Sequence, residues 1–257
     1  MSGYQYDSFA DKSQPTSQWT RWEGYGKAGN RLDYTVDMVF CIDATGSMED
    51  FSGGGKRLIN MVKDGAVSLY DDLTKKMASK GKQVRDLRLR IIAFRDYLYD
   101  GEHAMMMTDF FELPRQTKEF VACVNCITAI GGGDPPEDGL EAMAYAIRSN
   151  WKNTGSSKRR QIIVLWTDAP PHPLRFGSGS PSYPKGMPRD LGELSGWWEE
   201  EMDPEGKRLV LFAPDEGDWR YISSHWENVV HYPSKAGNGL AERTYESILE
   251  IMAASVL

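Results

Sequence analysis

The sequence predicts an α/β protein with a doubly wound, mostly parallel sheet and one antiparallel edge strand. Three observations carry that expectation. Two short apolar runs, about residues 36–43 and 161–166 (VDMVFCID and QIIVLW), have the length and near-continuous hydrophobicity of strands buried on both faces. Segments with apolar residues at helical spacing separate these runs from each other and from a third, about 208–213. Asp43 closes the first run and Asp168 follows the second at Thr167-Asp168. In sheets of this class ligands sit at the carboxyl ends of strands, where the strand order reverses.

The elements follow in order. Residues 1–34 are polar with scattered aromatics (Tyr4, Tyr6, Phe9, Trp19, Trp22, Tyr25) and hold no period of 2 or 3.6. They are expected to form an arm ahead of one domain spanning 35–257. After the first strand, Leu58, Met61, Val62, Ala66, Leu69, Leu73 and Met77 mark a helix over about 55–80, with Gly81 as its stop. LRLRIIAFRDY is the next strand, and Ala104–Leu113 an antiparallel edge strand. Phe120, Val121, Val124 and Ile127 mark a helix from Thr117 to about Ile130. The loop Gly131-Gly132-Gly133-Asp134-Pro135-Pro136-Glu137 then leads into a helix over about 137–150. Beyond Asp168 a Pro-, Gly- and Ser-rich insertion, about 170–207, leaves from the rim that carries Asp168. The third strand, a helix over 219–226, a short strand over 228–232 and a closing helix over about 240–256 complete the pattern.

Composition narrows the function. With 257 residues, 40% hydrophobic and 26% charged, the chain can bury a sizeable core and sits among ordinary globular proteins. A formal charge of −7 weighs against nucleic acid or an acidic membrane as partner. No stretch approaches the roughly 20 apolar residues of a bilayer span. The start MSGYQYDSFADKSQ lacks a secretory pattern, and three cysteines suit a reducing compartment, so a cytoplasmic location is expected.

The chemistry concentrates after the first strand. Asp43, Thr45 and Ser47 alternate, and Gly46 lets the chain turn, so three oxygens can converge at the mouth of the sheet. Hard oxygen ligands with no His or Cys among them suit Mg²⁺, Mn²⁺ or Ca²⁺. D-x-T-G-S after a buried strand, G-G-G-D-x-P-E before a helix and T-D after a second buried strand resemble, in that order, a von Willebrand factor A (vWA) domain, whose sheet is Rossmann-like. The resemblance covers roughly residues 34–256. It implies a metal-ion-dependent adhesion site (MIDAS), with Asp43, Thr45 and Ser47 as the first ligand loop and Asp168 as the last ligand. Where the family commonly has a threonine, this chain has Asp134 and Glu137, an arrangement similar to integrin β subunits. By that likeness Glu137 is the expected ligand, with Asp134 direct or through water. DATGSM together with FRDY is also similar to cytosolic vWA proteins, including bacterial tellurite-resistance-type ones and those found beside kinase domains.

The resemblance implies a protein-interaction module rather than an enzyme. Neutral hydroxyl ligands leave a divalent cation short of negative charge, which a partner's Asp or Glu carboxylate would supply; Mg²⁺ is favoured because it keeps displaceable waters. A bacterial stress, tellurite-resistance or phage-defence system is expected from the resemblance, with a kinase or phosphatase of that system as partner. Two alternatives stand beside it. Asp-x-Thr-Gly-Ser also resembles the aspartyl-phosphate loop of P-type ATPases and haloacid-dehalogenase phosphatases, which would make Asp43 the nucleophile of a Mg²⁺-dependent phosphohydrolase. The chain lacks the G-D-G-x-x-D-like motif of those enzymes, and Thr45 stands where their second acid falls. The other alternative is a vWA scaffold whose site is vestigial. Elsewhere bland roles are expected: thiols rather than zinc ligands at Cys123 and Cys126, a structural or solvent-facing His172, a structural salt bridge for Arg95 and Asp96, and a solvated Lys158-Arg159-Arg160.

Overall fold

Strand β1, Leu32–Asp43, sits in the middle of the sheet and starts earlier than its apolar run suggested. The computed structural model describes residues 32–49, 69–133, 135–153, 158–234 and 245–256. Residues 1–31 of the expected N-terminal arm therefore lie outside the described residues, while its last three, 32–34, belong to β1. Residues 55–68 of the expected first helix and 240–244 of the closing one also lie outside.

From β1 the chain runs through α1 (Leu69–Ser79), β2 (Lys82–Phe94), the single-turn α2 (Tyr97–Asp100), β3 (Met105–Met107), β4 (Phe111–Leu113), α3 (Thr117–Cys126) and α4 (Gly139–Ile147). It continues through β5 (Lys158–Trp166), α5 (Leu191–Glu200), β6 (Lys207–Pro214), α6 (Gly217–His225), β7 (Val229–Ser234) and α7 (Tyr245–Val256). The seven-stranded sheet has the order β3-β2-β1-β5-β6-β7, and β4 also pairs with β2. Strands β2, β1, β5, β6 and β7 are parallel, whereas β3 and β4 are antiparallel to β2. The expected single edge strand thus appears as two pieces. The break falls where the Thr108 hydroxyl accepts the Ile91 N–H at 3.0 Å in place of a backbone carbonyl.

Period-2 alternation explains why both faces are covered. Met38, Phe40 and Ile42 of β1 join Ile162, Val164 and Trp166 of β5 in one core, roofed by Met77, Phe120 and Met252 from α1, α3 and α7. Val39 and Cys41 join Ile163 and Leu165 in the other, roofed by Met143, Trp198 and Trp219 from α4, α5 and α6. The 170–207 insertion is therefore partly core: Trp198 is fully buried and stacks on Trp226 at 5.2 Å. Helix α4 starts at Gly139, two residues later than the proline signal suggested. The expectation of a solvated Lys158-Arg159-Arg160 fails at its last member. Arg160 is buried and donates to the Val256 carbonyl at 2.9 Å, because β5 enters the sheet at Lys158 and α7 closes over it.

One charge interrupts the alternation. Asp37, 1% exposed in the centre of β1, takes the Nε (2.7 Å) and Nη2 (2.5 Å) of Arg88 from β2 and the Lys152 backbone N–H (2.7 Å). Asp37→Ala leaves Arg88 with only the Asn150 carbonyl (3.1 Å) and the Lys152 N–H without its acceptor in a largely dry setting, a loss of about 3 kcal/mol. Urea unfolding is expected to show a lower midpoint with an unchanged slope; a midpoint equal to wild type would refute the assigned role.

Candidate functional site

The carboxyl ends of β1 and β5 meet at the switch in strand order, since the chain leaves β1 toward β2 on one side and returns to β5 on the other. Asp43, the last residue of β1, is fully buried. Its Oδ1 accepts from the Thr45 backbone N–H (2.9 Å) and the Thr45 hydroxyl (2.6 Å), and its Oδ2 accepts from the Thr167 hydroxyl (2.7 Å). The first pair closes an Asx-type turn that bends the chain off the strand. The third bond ties that turn to the end of β5.

The hydroxyl chain continues outward. A 3-10 turn over Gly46–Glu49 carries Ser47, whose Oγ lies 3.1 Å from Thr45 Oγ1 and donates to Asp168 Oδ1 at 3.0 Å. The short Thr45 contact places that hydroxyl's hydrogen on Asp43, whereas Ser47 Oγ lies within hydrogen-bond reach of both Asp168 and Thr45, so the two hydroxyl oxygens sit side by side at the mouth.

Across the mouth runs the glycine loop. Gly131 and Gly132 adopt φ values of 78° and 74°. A Cβ on Gly132 would lie 3.0 Å from Glu137 Oε1 and 3.1 Å from Thr45 Cβ, so only glycine lets this backbone pass. Glu137 is held by its main chain: its N–H donates to the Pro170 carbonyl (3.1 Å) and its carbonyl accepts from the His172 N–H (2.8 Å). Its side chain is buried, and Oε2 has no hydrogen-bond partner. Thr45, Ser47, Glu137 and Asp168, with Gly131–Gly133, line a cleft of about 220 Å³, and Asp43 lies beneath them. Five of the six expected site residues thus come together. Asp134 lies outside the described residues, although its neighbours Gly133 and Pro135 line the cleft.

The cleft is short of positive charge. Burial, with the Asp168 charge behind it, pushes Asp43 up to about 6 against the pull of the Thr45 and Thr167 hydrogen bonds. Burial, then the charges of Asp43, Asp96, Asp138 and Asp100, pushes Glu137 up to about 9. Asp168 is raised by burial as well.

Several contributors are not apparent in the motifs. Thr167 had been read only as the neighbour of Asp168. Arg95 corrects the expectation of a salt bridge: its Nε donates to the carbonyls of Ala44 (3.0 Å) and Ile130 (2.8 Å), Nη1 to His103 (2.7 Å) and Nη2 to Thr128 (2.8 Å). It thereby clamps the first ligand loop to the segment before the glycines. Asp100 accepts the Gly132 N–H at 3.0 Å. Such roles depend on which carbonyls the fold brings near, so no local sequence signal marks them. Cys123 is half-buried and Cys126 exposed, both as free thiols. His172 is buried rather than solvent-facing, with Nε2 2.9 Å from Asp96 Oδ2. Among the described residues, Asp96, Asp138 and His172 bring one ligand atom each within 4.8 Å of one another, a buried group that could hold a metal ion.

No protein-family model matches the chain. Over 161 residues it is 29% identical to the alpha-protein kinase vwkA of Dictyostelium discoideum, a match spanning 63% of this chain but 23% of the kinase. Among solved structures it is similar in fold to the pilus adhesin SpaC of Lactobacillus rhamnosus GG (TM-score 0.52, 14% identity, 88% of this chain and 31% of that one). It is likewise similar to the PilB minor pilin of Streptococcus sanguinis (TM-score 0.50, 13% identity, 90% and 64%). These structural likenesses establish the mixed α/β fold. Among the described residues no helix is long and apolar enough to cross a membrane.

The raised carboxyls give a pH dependence of definite sign. Folded values of about 6 for Asp43 and 9 for Glu137 lie above their ordinary 3.8 and 4.5, so the folded chain binds more protons than the unfolded one between those limits. Stability of the metal-free protein falls as pH rises through that window. Melting in EDTA, stepped from about pH 5 to pH 9, is expected to show a declining midpoint, with the upper part of the decline made shallower by Glu137→Gln and the remainder there carried by Asp138, which burial pushes up to about 8. A midpoint that rises over the same range would contradict the acidic cleft.

Proposed function

We propose that the chain is a vWA-type module that holds one divalent cation in the cleft and binds a protein partner through it. The observation that carries this reading is the pair of hydroxyl oxygens of Thr45 and Ser47, 3.1 Å apart and each beside a carboxylate oxygen. Octahedral ligands about 2.1 Å from Mg²⁺ lie about 3.0 Å apart along an edge, so the two oxygens suit adjacent positions on one ion. The unpartnered Oε2 of Glu137 and the carboxylate of Asp168 supply the charge, with Asp43 orienting the hydroxyls from below. All are hard oxygens, which favours Mg²⁺, Mn²⁺ or Ca²⁺. Asp134 is proposed as a further ligand, direct or through water. The ion would offer an electrophilic position to an incoming oxygen anion.

A partner's Asp or Glu carboxylate fits that position. The mouth is flanked by exposed apolar side chains: Tyr99, 59% exposed, lies against Gly133, and Ile130, 58% exposed, precedes the glycines. A carboxylate within an apolar segment matches this surround. The likeness to part of an alpha-protein kinase favours a partner from a kinase-containing system. The phosphohydrolase alternative fares less well on geometry. Asp43 is buried with both oxygens engaged, which places it as a hydrogen-bond acceptor rather than as an attacking group.

The test joins metal and partner. Saturating Mg²⁺ or Mn²⁺, at about 100 times Kd, is expected to stabilise the EDTA-treated protein by about 2.7 kcal/mol. The gain should vanish in Asp43→Ala, and pull-downs made with and without EDTA should differ by a partner that Asp43→Ala also fails to capture. Melting insensitive to both ions would favour the vestigial scaffold. Hydrolysis of a phosphoester by wild type, lost in Asp43→Ala, would overturn the binding-module reading.

A further inference from the structure

We propose that Asp96, Asp138 and His172 form a second metal site, taking a first-row transition ion of the Zn²⁺ or Mn²⁺ class and fixing the loop that presents Glu137 to the cleft. The first half stands without the cleft; the second rests on the cleft's being a cation site.

The three side chains come from three places in the chain: the end of β2, the N-cap of α4 and the segment after β5. They are at most 4% exposed, and their ligand atoms lie within 4.8 Å of one another. His172 Nε2 and Asp96 Oδ2 are hydrogen-bonded at 2.9 Å, a few tenths of an ångström from the roughly 3.0–3.4 Å that separates adjacent octahedral or tetrahedral ligands about 2.1 Å from an ion. Asp138 is fully buried. Its Oδ2 accepts the Tyr97 N–H at 2.7 Å, whereas its Oδ1 has no hydrogen-bond partner. A buried carboxylate oxygen left bare costs free energy unless a cation or a proton completes it. Nearby Glu141, also fully buried, keeps a bare Oε2 while its Oε1 takes the Tyr183 hydroxyl (2.7 Å) and the Arg175 N–H (3.0 Å). Two buried carboxyls thus share one imidazole, and Glu141 adds its charge beside Asp138.

The surroundings resemble the outer shell of a metal site. Asp96 Oδ1 accepts the N–H groups of Leu98 (2.6 Å) and Tyr99 (3.3 Å), leaving Oδ2 toward His172. Phe176 stacks on the His172 ring at 3.9 Å and 10°, which limits its rotation. Oriented ligands of this kind lower the reorganisation needed for binding. Two carboxylates and an imidazole on one ion select Zn²⁺, Mn²⁺ or Fe²⁺ over Mg²⁺ and Ca²⁺, whose preferred ligands are all oxygen.

The link to the cleft is covalent and short. Asp138 follows Glu137, and the His172 N–H donates to the Glu137 carbonyl at 2.8 Å. An ion held by Asp138 and His172 would grip both sides of the bridge between Glu137 and Pro171, and so hold Glu137 at the cleft.

The full chain, stripped and then loaded with Zn²⁺ or with Mn²⁺ in excess Mg²⁺, is analysed for bound metal. One equivalent is expected to resist the Mg²⁺, to remain in Asp43→Ala and to be lost in His172→Gln and Asp138→Asn. Wild-type crystals soaked in Zn²⁺ supply a test free of folding defects: anomalous scattering should place the ion between the three side chains. No retained metal, metal lost with Asp43→Ala, or an anomalous peak elsewhere would each refute the site. A network completed by protons alone is the state those results would establish. Loading should also raise the Mg²⁺ affinity of the cleft several-fold. An unchanged affinity would overturn the coupling, and Mg²⁺ binding absent throughout, with one Zn²⁺ retained, would count against the cleft alone.

Discussion

The buried carboxylate of Asp43 constrains everything around the cleft. An anion taken out of water costs several kcal/mol unless donors replace its hydration, and each hydrogen bond to it returns about 1.5–3 kcal/mol. Here the donors are Thr45, twice, and Thr167. Satisfying Asp43 therefore requires the chain to turn at once after β1 and requires β5 to end beside it. The same turn sets the Thr45 hydroxyl beside Ser47 Oγ at the mouth of the sheet. A structural requirement at the end of one strand thus generates the oxygen-lined cleft above it. The compensation is incomplete, since burial still pushes Asp43 up to about 6.

The far wall of the cleft is built from backbone rather than side chains. Two left-handed glycines bring the main chain against Thr45 and Glu137, Asp100 accepts the Gly132 N–H, and Arg95 joins Ala44, Thr128 and Ile130 through their carbonyls. A guanidinium is suited to this because its donors are fixed in a plane and stay charged. The wall is thus held by main-chain contacts on one side of the cleft and by the hydroxyl turn on the other.

Adjacent residues serve two acidic centres. Glu137 faces the cleft, while Asp138 turns into the buried group with Asp96 and His172. Both centres gather more carboxyl groups than nearby cationic side chains balance, and burial keeps Glu137 and Asp138 protonated well above the usual carboxylate range. Burial is the main reason Glu137 is raised; cations at either centre would relieve the part added by the charges of Asp43, Asp96, Asp138 and Asp100. The two sites are then electrostatically as well as covalently coupled, and the loop between Gly131 and Asp138 is the element they share.

Much of this was legible along the chain. Continuous apolar runs identified β1, β5 and β6, because a strand covered on both faces has no polar side to display. The alternation of Asp43, Thr45 and Ser47 and the position of Asp168 after β5 marked one wall of the cleft, and GGGDPPE marked the other. Local spacing determines such features, since they depend on which way neighbouring side chains point. The tertiary structure alone decided the roles of Thr167, Arg95 and Asp100, the burial of Arg160, and the meeting of Asp96, Asp138 and His172. Each is a contact between residues tens of positions apart, and its partner is set by strand order and register rather than by anything adjacent in sequence.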